Sequence, residues 1–376
     1  MTLPSVVSVC GDPGGASALA PVLELLASEG RVLLENYTYA QGGTVLQRRS
    51  VPFLTLPVGI DDAWIDEVLR HASLLLAATS ANGQDHERRF LAAARRGCLP
   101  SLSVLDFWSN YRARFVESDG SLVLPDQLAV MDDQARQDVI GIGIPASAVV
   151  VTGHPGLEGL ASRRPELAAR GRALRTELGI GPAERLVVFV SQPIADLYRQ
   201  CEGNPEHLGF EERGVLAAIV DALASIARDE GLGVTLLVRP HPRETGFAAP
   251  GHHGPPRMLI DGSEDAHASV MAGDLVVGMN SVLLLEAALL GRRVLSVQPG
   301  LGAGDRVPWE AYAEVDRVST WGEVAPALRR ALARPESRSG AARDESRTSG
   351  AARSVADCVY ALLRDLELAA PMEPRR

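Results

Sequence analysis

The segment Asp274-Leu-Val-Val-Gly-Met-Asn-Ser-Val-Leu-Leu-Leu-Glu-Ala-Ala-Leu-Leu-Gly291 holds residues well suited to bind an anion. Its apolar run ends at Gly278 as a buried strand would, and Asn280 or Ser281 then caps a helix that enters through Val282. Unpaired amides and the positive end of the helix dipole gather there, which favours a diphosphate. Glu286 lies past the reach of a capping box and has no local duty in the sequence, so its carboxylate could accept from ribose hydroxyls. The plainer alternative is a capped helix with a solvated or partner-paired Glu. Arg239-Pro-His-Pro-Arg-Glu244 follows another apolar run, residues 235–238. Pro240 and Pro242 stiffen this loop and lower the cost of ordering His241, while Arg239 and Arg243 carry planar donors that match phosphate oxygens. Its alternative is a charged surface turn. After a third run, Ser191 and Gln192 could bind phosphate or nucleobase, or merely close a turn.

The first half of the chain offers a second set. Gly11-Asp-Pro-Gly-Gly15 reads as a turn after an apolar run, and Gly14 and Gly15 would let a ligand approach the backbone closely. It is no dinucleotide fingerprint, because Gly-x-Gly-x-x-Gly is missing. Asp12 is its carboxylate, a proton acceptor or a turn residue. Leu105-Asp-Phe-Trp-Ser-Asn-Tyr-Arg112 gathers Asp106, Trp108, Asn110, Tyr111 and Arg112. Such a cluster suits a sugar, with aromatic faces stacked on C–H surfaces and a carboxylate as hydroxyl ligand or base, or it forms a domain-edge aromatic cluster. His154, in Thr152-Gly-His-Pro-Gly156, reads as a hinge residue, and His252, His253 and His267 as solvated loop positions. Cys10, Cys98, Cys201 and Cys358 stand far apart with no Cys/His metal spacing, so reduced thiols and no metal are expected.

Composition limits the chemistry further. All 37 basic residues are arginine, so Schiff-base and phosphate-loop lysine mechanisms are excluded. An all-Arg chain rich in Ala and Gly also looks like a high-GC bacterial gene. A net charge of −10 with dispersed arginines argues against a broad grip on nucleic acid. No basic n-region and no run of about 18 apolar residues occurs, so a cytoplasmic protein without a transmembrane segment is expected.

At 376 residues, 46% of them apolar, the chain is long enough for two cores. Short apolar runs alternate with amphipathic stretches. Strands are predicted at 5–10, 31–35, 52–56, 73–78, 100–105 and 149–152, with helices at 17–28, 61–71 and 85–96, and a small hairpin about Asp119-Gly120 in the odd stretch 107–133. The second half repeats the rhythm: strands at 185–191, 234–238, 257–260, 275–277 and 294–297, helices at 215–229 and 281–290. Two Rossmann-like, doubly wound α/β domains follow, 1–160 and 180–335, with ligands expected at the carboxyl ends of the strands and in the cleft between the domains. Residues 336–376 carry a near-duplication, Ser337–Arg343 echoed by Ser346–Arg353, read as a low-complexity link before a helix at 355–366.

The order strand, small polar residues, helix with Glu-Ala, Gly and short strand resembles the nucleotide-binding domain of glycosyltransferase-B-type enzymes. These include UDP-N-acetylglucosamine 2-epimerases and bacterial capsule transferases. The resemblance implies a metal-independent glycosyltransferase that uses a nucleotide-sugar donor, with no other cofactor, and a small-molecule or glycan acceptor; it leaves room for a homodimer. It implies the nucleotide on the second domain and the acceptor on the first, the Gly11–Gly15 loop abutting donor sugar or acceptor. His241 would be a phosphate ligand or the acid assisting the leaving group, and Asp12 or Asp106 would take the acceptor proton. The 2-epimerase alternative is weakened because Ser191-Gln192 stands where those enzymes carry His-Arg, and because the run ending Ala-Ala-Thr-Ser80 has no acid. A catalytically silent relative that binds a nucleotide sugar is the third reading.

Overall fold

The computed structural model describes residues 3–81, 84–117, 119–196, 208–244, 254–263, 265–301, 305–333 and 348–369. The chain forms two compact units, Met1–Glu158 with Ser346–Arg376, and Gly159–Glu345. Cys201, His252, His253 and the first copy of the duplication lie outside the described residues.

The first unit is built on a wholly parallel seven-stranded sheet. Its strands are β1 (Ser5–Cys10), β2 (Leu33–Thr38), β3 (Leu54–Thr55), β4 (Leu74–Ala78), β5 (Ser101–Val104), β6 (Gln127–Val130) and β7 (Val149–Val151), in the order β3-β2-β1-β4-β5-β6-β7. Period-two alternation sends Val6 and Cys10 to one face, with the helices Pro13–Glu29 and Ala351–Ala369, and Val7 and Val9 to the other, with Phe90, Leu91 and Ala94. The strand order changes direction across the sheet between β1 and β4, the position at whose carboxyl ends open α/β sheets generally hold ligands.

The second unit repeats the plan in six parallel strands. These are β8 (Arg185–Val190), β9 (Val234–Arg239), β10 (Arg257–Ile260), β11 (Leu275–Gly278), β12 (Val294–Val297) and β13 (Asp316–Val318), ordered β10-β9-β8-β11-β12-β13. Its switch point falls between β8 and β11. One face packs on the helices Glu212–Glu230 and Val324–Ala333.

Several expectations change. The first helix starts at Pro13 rather than 17, because Pro is pre-set for a first helical position, so Gly14 and Gly15 belong to the helix and not to a turn. The small hairpin about Asp119-Gly120 is present as a single antiparallel bridge from Val116 to Leu122, with Val123 N donating to Phe115 O at 2.9 Å, while the short helix Tyr111–Phe115 before it and the interior strand β6 after it were unforeseen. The Asp126 carboxylate pins that strand's start by accepting from the backbone N–H and hydroxyl of Ser101. The arginine- and alanine-rich stretch between the two expected domains, whose polarity suits a surface helix, does form one, Leu160–Glu177; it belongs to the second unit, where Arg175 bonds Asp274 at 2.9 Å. The last helix runs from Ala351 and joins the first unit. Ala352, Val355, Ala356, Val359, Tyr360 and Leu363 recur at helical spacing and enter its core, and Glu158 receives the backbone N–H groups of Gly350 and Ala352. No helix among the described residues is long and apolar enough to cross a membrane.

Candidate functional site

In the second unit, three loops leave strand ends at the switch point and bond to one another. The backbone N–H of Asn280, after β11, donates to Gln192 Oε1, after β8, at 3.0 Å. Ser191 Oγ donates to Glu244 Oε1 at 2.9 Å, and the backbone N–H of His241, after β9, donates to Glu244 Oε2 at 2.6 Å. Arg243 N donates to His241 Nδ1 at 3.2 Å, which fixes the imidazole against its own loop. Burial raises the Glu244 carboxyl above its ordinary value, against the opposing pull of these two donors. Glu244 is the tie between the loops after β8 and β9 that sequence reasoning passed over; its place in Arg-Pro-His-Pro-Arg-Glu was visible, its reach back to Ser191 was not.

Ser281 caps the helix Val282–Leu289, its side chain accepting from the N–H of Leu283. Val282 stands in the first turn. Glu286 is buried and does have a local partner, contrary to the sequence reading: Oε2 lies 2.9 Å from His267 Nε2. His267 is correspondingly no loop residue but part of the helix Ala266–Ala272. Arg239 is also committed. Its Nη1 bonds Asp261 Oδ2 at 2.6 Å, Ser263 O at 3.1 Å and Ser269 Oγ at 3.1 Å. Burial works to raise the Asp261 carboxyl, but the Ser269 hydroxyl and the Arg239 charge bring it below the ordinary range. The motif's first arginine therefore braces β9 against the end of β10, which leaves Arg243 as its phosphate candidate. Arg243 Nε is buried without a hydrogen-bond partner among the described residues.

In the first unit, Asp12 is the N-cap position of the helix Pro13–Glu29, with Oδ2 3.4 Å from the N–H of Ala81, which follows β4. Asp106 sits at the carboxyl end of β5, buried. A Cβ on Gly14 would meet Asp106 Oδ2 at 2.3 Å, so only glycine lets the helix start and this carboxylate approach so closely. Asp106 is not the unencumbered base the sequence suggested: Arg114 Nη1 donates to its Oδ1 at 2.5 Å and the Thr79 hydroxyl at 3.2 Å. The aromatic cluster is corrected too. Trp108 is buried, with Nε1 donating to Asp132 at 2.8 Å, and Tyr111 donates its hydroxyl to Asp138 at 3.2 Å, so neither ring face is offered to a sugar. Asn110 keeps a half-buried position and Arg112 an exposed one. His154 is buried with Nε2 3.0 Å from the Asp106 carbonyl oxygen.

An acid does stand at the end of β4. Glu87, in the first turn of the helix His86–Arg96, accepts from Ser80 Oγ at 2.6 Å and from Tyr39 Oη at 2.5 Å. Burial pushes its carboxyl up to about 7 despite those two donors, and the Asp12 charge adds to the rise. A signal existed: Glu87, Phe90, Leu91 and Ala94 share one helical stripe, and all are buried. Because the folded carboxyl holds its proton more tightly than an unfolded one, its contribution is complete below about 4.3, the ordinary Glu value, and is lost as pH rises through about 7. Chemical unfolding at pH 5 and pH 8 should therefore show wild type losing more stability than Glu87→Gln between the two.

Among the described residues no group of three or more His, Cys, Asp or Glu could hold a metal ion. Cys10 is buried and free, its thiol pushed up to about 12 by burial and by the Glu87 charge.

No protein-family profile matches the chain. Nor does any curated protein sequence. Solved structures do match in fold. The UDP-GlcNAc 2-epimerase of Neisseria meningitidis bound to UDP-GlcNAc is 13% identical with a TM-score of 0.68, covering 95% of this chain and all of its own. Anabaena Alr3699/HepE in complex with UDP and glucose is 16% identical with a TM-score of 0.57, covering 97% of this chain and 98% of its own. A glycosyltransferase from Rickettsia africae is 11% identical with a TM-score of 0.59, covering 98% of each chain.

Proposed function

We infer the function from the fold, two Rossmann-like units built on parallel sheets in the glycosyltransferase-B manner, as in the epimerase and transferase structures that match along nearly the full chain. We propose that the protein is an enzyme that acts on a nucleotide sugar, binding the nucleotide on the second unit, and that it transfers the sugar to a hydroxyl acceptor without a metal. The observation that carries this reading is the convergence at the switch point of that unit, where Asn280 bonds Gln192 and the His241 loop bonds Ser191 through Glu244. Backbone amides at the start of the helix Val282–Leu289, with His241 and Arg243, would stabilise negative charge growing on the departing phosphate. A preorganised loop costs little reorganisation at that moment. In the first unit Asp12, the more exposed of the two aspartates, would face the acceptor and help to position it.

A second reading, sugar-nucleotide 2-epimerisation, is favoured by Glu87, which supplies an acid against Ser80 where the sequence had shown none. Incubation with UDP-, GDP- and CDP-sugars separates the readings. Slow donor hydrolysis and transfer to an added acceptor support the first, an epimerised sugar nucleotide the second, and a thermal shift with no turnover a silent binder.

Ribose recognition gives a sharper test. With His267 holding one carboxylate oxygen in place, Glu286 would accept ribose hydroxyls from a fixed position. Glu286→Gln should then cost about 1–3 kcal/mol in nucleotide binding and much less toward a 2′,3′-dideoxy nucleotide. Calorimetric titration of both proteins with both ligands gives the coupling energy. A value near zero would remove Glu286 from the site.

A further inference from the structure

Glu87 is a well-enclosed carboxylate at the carboxyl end of the first sheet, and the proposed transfer gives it no role. Each of its carboxylate oxygens receives one hydroxyl: Ser80 on Oε1 at 2.6 Å, Tyr39 on Oε2 at 2.5 Å. Glu87 is 3% exposed and cannot touch a substrate, but Ser80 is half-buried and stands two residues beyond the end of β4. Tyr39 is held in turn. A Cβ on Gly11 would lie 2.0 Å from its ring, and the His86 ring packs edge-on against it at 4.6 Å between centroids. The groups that face Glu87 are Cys10 on β1, Asp12 after it, Tyr39 after β2, Ser80 after β4, and His86 on its own helix, whose Nδ1 is buried without a hydrogen-bond partner among the described residues. Burial and the Arg89 charge keep that imidazole below its ordinary value, so at neutral pH it brings little positive charge to the cluster.

We propose that Glu87 is a positioning and proton-accepting residue that acts through Ser80: the serine hydroxyl relays a proton from the acceptor hydroxyl to the enclosed carboxylate, and Tyr39 sets how readily the carboxylate takes it. This rests on the transferase reading given above. The acceptor O–H gives its proton to Ser80 Oγ as the Ser80 proton passes to Glu87 Oε1, which ends as a neutral acid. The electron pair stays on the acceptor oxygen, which bonds to the anomeric carbon. The bond from that carbon to the diphosphate oxygen breaks, and its pair leaves with the nucleoside diphosphate. The proton returns to solvent by the same hydroxyl before the next turnover. An acceptor poised near neutral pH is the most effective kind, and a carboxylate in water would be too weak a base for the task.

The test is a pH profile of turnover in the full chain with the donor found active, together with a carbon-detected NMR titration of its glutamate carboxyls. Wild type should lose turnover as pH falls through about 7, and one carboxyl should titrate there. In Glu87→Gln that resonance should vanish, turnover should fall on the order of 100-fold and the acidic limb should flatten. Ser80→Ala should lose a similar factor, and Ser80→Thr, which keeps the hydroxyl, should recover most of it. Tyr39→Phe removes a donor that favours the charged carboxylate, so its limb and its resonance should both move to higher pH, a shift that a merely structural role would not give. A glutamate midpoint no higher than about 4.3, or an unchanged limb in Glu87→Gln, would overturn the relay while leaving the transferase reading intact. No nucleotide sugar bound or turned over by wild type would overturn the transferase reading and the relay with it, and the wild-type turnover measurement tells the two failures apart.

Discussion

Arg114→Met should lower the stability of the first unit by about 3–5 kcal/mol, the usual effect of stranding one member of a buried ion pair. The guanidinium and the Asp106 carboxylate are 6% and 9% exposed, with 2.5 Å between Nη1 and Oδ1. Arg114 also donates to the carbonyl oxygens of Thr79 at 3.0 Å and Ser109 at 3.1 Å, so the ends of β4 and β5 are fastened to the short helix Tyr111–Phe115 by one side chain. Removing it leaves a charge and two carbonyls in a site that water hardly enters. The double variant Asp106→Leu/Arg114→Met should be less destabilised than Arg114→Met alone, because it removes the uncompensated charge, though it cannot restore the two carbonyl bonds. Hydrogen exchange of first-unit peptides in the intact protein, followed through a denaturant series, reads both values. A loss below about 1 kcal/mol for Arg114→Met would show that water reaches the pair, and would return Asp106 to the candidate bases.

That pair shows what the sequence hides. The alternating apolar runs made both sheets legible, since a parallel strand buried on both faces needs a continuous apolar stretch and little else. They also made the strand ends legible, and with them Gln192, Ser281 and the His241 loop. Side-chain partnerships across the fold follow no sequence period. Arg114 lies eight residues beyond Asp106 with a turn between them, and Arg112, two residues earlier, has the same composition and an exposed side chain. Trp108 and Tyr111 looked like a sugar platform because aromatic residues near an acid serve both recognition and packing, and only burial separates the two uses. β6 was missed because its apolar residues, Leu128 to Val130, sit between Pro125-Asp126-Gln127 and Asp132-Asp133, inside a stretch that breaks the alternating rhythm. Glu87 differs. Its place on the buried stripe of its helix was readable, and an acid at such a position is costly enough to imply a purpose.

The two arginines of Arg239-Pro-His-Pro-Arg243 should separate cleanly, with opposite signatures. Arg239 and Asp261 are 12% and 2% exposed and 2.6 Å apart, and the same guanidinium nitrogen also bonds Ser263 and Ser269. Arg239→Met should thus cost the second unit about 3–5 kcal/mol of stability, and Arg239→Met/Asp261→Leu should recover part of it. Arg243 has no ion pair among the described residues, and its backbone N–H, not its guanidinium, holds His241. Arg243→Ala should therefore leave unfolding within about 0.5 kcal/mol of wild type, as substitutions outside packed networks do. If its guanidinium meets the phosphate, nucleotide affinity should drop by on the order of 10- to 100-fold, as losing a charge-assisted hydrogen bond worth about 1.5–3 kcal/mol requires. Denaturant unfolding and nucleotide titration, run on the same samples, give both coordinates for each variant. Stability lost in Arg243→Ala with affinity unchanged would make the whole loop a brace between β9 and β10. The anion site would then rest on the amides of Ser281 and Val282 alone, where a helix start offers partial charge but no side chain to select one phosphate from another.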